Sequence, residues 1–64
     1  MKINGKELEF KENTSISELL NSIGVNKSTV VVEVNLEIIE NEAYDNYILS
    51  EDDIIEVIRF VGGG

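Results

Sequence analysis

The sequence predicts a small α+β domain, a mixed sheet with one main helix packed on one face, in the order ββαββ. Three observations lead there. An Asn-Gly pair, Asn4-Gly5, divides two short alternating runs at the start of the chain; a capping signature at Ser15 opens one amphipathic stripe; and β-branched runs over residues 28–34 and 54–61 supply strands.

Asn4-Gly5 lies between Met1-Lys2-Ile3 and Lys6-Glu7-Leu8-Glu9-Phe10. A two-residue type I′ loop needs positive φ at both central positions, which Asn and Gly tolerate best. That loop sets Ile3 opposite Lys6 and Met1 opposite Leu8, so Met1, Ile3, Leu8 and Phe10 are expected on one face. Ser15-Ile16-Ser17-Glu18 then reads as a capping box, the Ser15 hydroxyl accepting from the Glu18 amide while the Glu18 carboxylate reaches back to the Ser15 N–H. Ile16, Leu19, Leu20 and Ile23 follow at helical spacing, and Gly24 supplies the left-handed residue that ends the helix.

Over residues 28–34, with Glu33 in solvent, Val30, Val32 and Val34 point inward and Val31 outward. Asn35-Leu36 reads as a turn into a short strand Glu37-Ile38-Ile39. Residues 40–47 are polar and irregular, with a helical turn expected around Tyr44, and Glu51-Asp52-Asp53 marks a turn. In the last strand Ile55 and Val57 alternate inward, while Ile54, Glu56, Ile58 and Phe60 take the other side. Arg59, the one arginine, is expected toward the core edge, in a local ion pair or orienting the tail. Residues 1–61 thus form the domain and residues 62–64 a flexible glycine tail.

Composition narrows the function. A chain of 64 residues is near the lower limit for a self-sufficient core and, without cysteine, has no disulfide to help it. Lacking both His and Cys, it has neither the usual zinc ligands, nor a thiol nucleophile, nor the commonest general base, which argues against autonomous catalysis. A net charge of -8, from 13 acidic and 5 basic residues, disfavours nucleic acid and anionic membrane surfaces and would steer the protein toward a basic docking surface, although solubility explains the same charge. No apolar run exceeds three residues and the start lacks a signal-peptide core, so the expected location is the cytoplasm. Glu51-Asp52-Asp53 lacks the alternating ligands of a calcium loop and reads as a solvated turn.

The glycine end points to a chemistry. A frayed terminus or linker remnant would have the same composition, but here a β-branched strand runs directly into Gly62-Gly63-Gly64 with no Ser-rich or charged linker between them. From Val61 to Gly64 an extended chain reaches about 13 Å at about 3.3 Å per residue, enough to enter a partner's active site with the body outside. The reactive group is then the Gly64 carboxylate. Gly62 and Gly63 are the threading positions, since side chains there would clash in a narrow channel; simple flexibility is their other reading. Ile58, Phe60 and Val31 form the candidate docking face, an apolar outer surface unusual on so acidic a chain, unless they cover a second layer or fill a small exposed patch.

With Arg59-Phe60-Val61-Gly62-Gly63-Gly64 as its ending, Val32-Glu33-Val34-Asn35 within it and Ser15-Ile16-Ser17-Glu18-Leu19-Leu20 as its helix start, the whole chain resembles the thiamine-biosynthesis sulfur carrier proteins, the ThiS family. The resemblance implies a ubiquitin-like β-grasp, in which the strand after the helix is expected to return beside the first strand and the last strand to lie centrally. It further implies no bound cofactor and no catalytic residue of its own. An E1-like adenylating enzyme (ThiF) would use MgATP to activate the Gly64 carboxylate, a cysteine-desulfurase relay would supply sulfur to form a thiocarboxylate, and thiazole synthase (ThiG) would receive it. Two residues depart from the family pattern: Leu36 and Asp52 stand where many members have glycine, and a left-handed leucine would be strained. Two rival readings fit parts of the chain: the small subunit of molybdopterin synthase, which also ends in Gly-Gly, and a non-covalent β-grasp binding module of the TGS type.

Overall fold

The computed structural model describes residues 1–59. The first turn forms as the Asn-Gly pair requires: Asn4 and Gly5 have φ of 49° and 81°, and strands β1 (Lys2–Ile3) and β2 (Lys6–Glu7) pair antiparallel with Ile3 opposite Lys6. The Leu8 N–H donates to the Met1 carbonyl at 2.9 Å, which continues the expected register beyond the strands. Leu8 itself is exposed, because β2 ends at Glu7, whereas Phe10 does pack on the core.

Helix α1 (Ile16–Ser22) carries the full capping box: the Glu18 N–H donates to Ser15 Oγ and the Ser15 N–H to Glu18 Oε1, both at 3.1 Å. Ile16, Leu19 and Leu20 are buried, and Gly24 ends the turn at φ 75°. Ile23 is corrected to an exposed position, 39% accessible, because the helix closes at Ser22 and Ile23 is its C-cap.

Strand β3 (Val30–Val34) buries Val30, Val32 and Val34, but Ser28 and Thr29 belong to a 3-10 turn, Lys27–Thr29. There Asn26 Oδ1 accepts from the Ser28 N–H at 2.9 Å, and this local side-chain bond overrides the β-branched propensity. A two-residue turn leads to β4 (Glu37–Ile39), with Asn35 at φ 53° and Leu36 at φ 71°, so the leucine occupies the left-handed region. Asp52 needs no such conformation: the positive-φ residues other than glycine among those described are Asn4, Asn13, Asn35 and Leu36. Its turn closes through Asp53, whose N–H donates to the Ser50 carbonyl and whose Oδ2 accepts from the Ser50 N–H.

Strand β5 (Ile54–Arg59) completes a five-stranded sheet of order β2-β1-β5-β3-β4. It runs parallel to β1 and antiparallel to β3, so the final strand is central as expected. The strand after the helix does not return beside β1; β5 lies between them. One buried cluster joins α1 to one face of the sheet through Ile16, Leu19, Leu20, Val32, Val34 and Ile55. Tyr44, unassigned by periodicity, belongs to the same cluster, 1% exposed, at the end of the 3-10 turn Asn41–Ala43, and its hydroxyl accepts from the Val32 N–H at 3.0 Å. Arg59 stands opposite buried Val30 across the ladder, which puts it on the core-side face as expected, at the rim, where it is exposed.

Candidate functional site: the outer sheet face and the end of the last strand

Alternation along β5 buries Ile55 and leaves Ile54, Glu56 and Ile58 on the face away from the helix. Across the β3–β5 ladder, Val31 stands directly opposite Ile58 and Glu33 directly opposite Glu56. The structure thus brings together two of the three docking residues expected from sequence, with Val31 partly buried and Ile58 50% exposed. Ile38, opposite Glu33 on β4 and 66% exposed, joins the same face. Sequence reasoning missed it, although the Ile38-Ile39 doublet carried the signal: in a strand one of two adjacent isoleucines must face outward. Phe60, Gly62, Gly63 and Gly64, with the boundary between domain and tail, lie outside the described residues.

The face is anchored at the start of β5. The Asn35 N–H donates to the Ile54 carbonyl at 2.8 Å, Asn35 Oδ1 accepts from the Ile54 N–H at 3.0 Å, and Asn35 Nδ2 donates to Asp53 Oδ1 at 2.9 Å. Left-handed Asn35 therefore ties the β3–β4 turn to the strand that leads to the tail. Asp53 of the acidic trio is engaged in turn bonding, and among the described residues no three His, Cys, Asp or Glu side chains gather as metal ligands.

On the opposite side, Asp45 links the helix start to the 3-10 turn by accepting from Ser17 Oγ and, at 3.0 Å, from Lys27 Nζ. The Ser17 hydrogen bond first, then the Lys27 contact, hold its carboxyl below the ordinary aspartate range. The charges are in solvent, so this is a surface link and not a reaction centre.

A mixed sheet of order β2-β1-β5-β3-β4, with β5 central, and one capped helix across one face define a ubiquitin-like β-grasp domain. The model of the ThiS family matches residues 1–64. The sulfur carrier protein ThiS of Bacillus subtilis (strain 168) is 42% identical over 65 residues, covering 100% of this chain and 98% of that protein. A crystal structure of the thiamine biosynthesis protein ThiS from Geobacter metallireducens superposes with a TM-score of 0.79 at 33% identity, over 98% of this chain and 96% of the other. A thiazole synthase of Paramagnetospirillum magneticum is 37% identical over 62 residues, 97% of this chain but 19% of that protein. The chain belongs to the ThiS family, the sulfur carriers of thiamine biosynthesis.

Proposed function

We propose that the chain carries sulfur as a thiocarboxylate on Gly64 and is a protein co-substrate, not an enzyme. The observation that carries this reading is the family match, which extends through the Gly62-Gly63-Gly64 ending. The absence of His and Cys from the sequence supports chemistry supplied by partners. A free carboxylate is a poor electrophile. In the proposed cycle a Gly64 oxygen attacks the α-phosphorus of MgATP, held by an E1-like adenylating enzyme (ThiF), and pyrophosphate leaves. A persulfide from the cysteine-desulfurase relay then attacks the acyl carbon and expels AMP, and a thiol cleaves the resulting S–S bond to leave the thiocarboxylate.

Thiazole synthase (ThiG) is the proposed acceptor. A thiazole synthase that contains, within a fifth of its length, a segment resembling 97% of this chain supports the pairing. Docking would use the outer face of Val31 and Ile58, extended by Phe60, with Gly62 and Gly63 threading the tail. No helix among the described residues is long and apolar enough to cross a membrane, and the cytoplasm is the proposed site of the cycle.

Deletion of Gly64 tests the cycle. A terminal residue buries little surface, so the fold should persist while pyrophosphate release by the adenylating enzyme is lost. Undiminished release from the deleted chain would remove Gly64 from the mechanism.

A further inference from the structure

β1 and β5 differ in length, and the difference leaves a gap beside the strand that leads to the tail. β1 pairs only Lys2 and Ile3 with Ile54 and Ile55 of the six-residue β5, after which the chain turns away at Asn4-Gly5. The Asn4 N–H still donates to the Ile55 carbonyl at 2.9 Å. Its side chain then continues the ladder: Asn4 Oδ1 accepts from the Val57 N–H at 2.8 Å, and Asn4 Nδ2 donates to the Val57 carbonyl at 3.4 Å. The carboxamide presents an acceptor and a donor to one residue of β5, as a further peptide of β1 would. Beyond Val57, among the described residues, β5 pairs with β3 alone through Ile58 and Arg59.

We propose that Asn4 is a positioning residue for the C-terminal tail: its carboxamide clamps the backbone of Val57, seven residues before Gly64, and holds in place the strand that precedes the tail. The inference rests on the carrier reading above. With Asn4 in place, β5 is held on both edges as far as Val57; without its carboxamide that support ends at Ile55. More of the strand must then be ordered on binding, and that cost falls on association rather than on the chemical step. The residue therefore serves twice, since its φ of 49° also meets the demand of the type I′ turn.

The two roles separate by substitution. Asn4→Gly keeps the turn, because Gly-Gly suits a type I′ loop, and removes the clamp; Asn4→Asp keeps the acceptor for the Val57 N–H and loses the donor. Amide exchange on the full chain should show Val57 of Asn4→Gly exchanging faster by about fivefold, the factor matching one net hydrogen bond, with Val32 as protected as in the parent. In pyrophosphate release by the adenylating enzyme at varied carrier concentration, Asn4→Gly should raise KM by about the same factor with kcat unchanged, and Asn4→Asp should fall between. Unchanged Val57 exchange, or faster exchange with a KM equal to the parent's, overturns the inference alone. A parent chain that supports no pyrophosphate release overturns the carrier reading, and the role of Asn4 in tail presentation with it.

Discussion

Replacing Leu36 should stabilise the protein, although leucine is the larger and more apolar residue. Leu36 has φ of 71°, where a side chain crowds the backbone at a cost of about 1–2 kcal/mol. Its side chain is 90% exposed, so Leu36→Gly forfeits about a tenth of the roughly 1.5–3 kcal/mol that full burial contributes, about 0.2 kcal/mol. Glycine adds an unfolded-state entropy cost of about 0.5–1 kcal/mol. Mid-range values leave a net gain of about 0.5 kcal/mol, which for a domain of this size raises Tm by about 3 °C. Leu36→Asn, which tolerates the left-handed region without glycine's entropy cost, should gain at least as much. Thermal unfolding followed by far-ultraviolet circular dichroism, with urea titration to confirm an unchanged m-value, reads both variants. If both melt at or below the parent temperature, the strain assigned to Leu36 is absent and the reasoning fails.

Tyr44→Phe keeps the ring but leaves the buried Val32 N–H without the hydroxyl that accepts from it, a loss of about 1–3 kcal/mol. Its Tm should fall by about 4 °C or more, and an unshifted melt would show that the hydroxyl is dispensable. Ile58→Asp places a charge on the outer face opposite Val31, and because the side chain is half exposed the melt should change little. Calorimetric titration against the adenylating enzyme should show affinity lower by about tenfold or more, and parent-like affinity would exclude this face from the interface.

Elements set by local chemistry were legible in the sequence. Asn4-Gly5 dictates its turn, Ser15 and Glu18 cap each other across one helical turn, and the valines of β3 alternate about Glu33. Where tertiary packing decided, the pattern misled or was silent. Ile23 continues the helical spacing, yet the helix ends before it can turn inward. Tyr44 lies in a polar stretch without periodicity and becomes core only because its loop folds under β3, where a backbone amide meets its hydroxyl. Ser28 and Thr29 have strand propensity, but Asn26 offers the nearer hydrogen-bond partner. Of the candidate site, alternation placed Ile58 and Val31 outward. Their direct opposition and the addition of Ile38 required the register between strands, which no single segment encodes. The Asn4 clamp was hidden for the same reason, joining residues 53 positions apart.

The most direct test is the intact mass of the protein recovered from cells starved of thiamine, with fragment ions assigning any change to a residue. Oxidation of Met1, which carries the chain's one sulfur atom, adds almost the same mass as exchange of oxygen for sulfur, so location is essential. A gain equal to the difference between sulfur and oxygen, confined to the fragment that ends in Gly64, is the expected result. A terminal fragment that never gains sulfur while thiamine synthesis proceeds would contradict it.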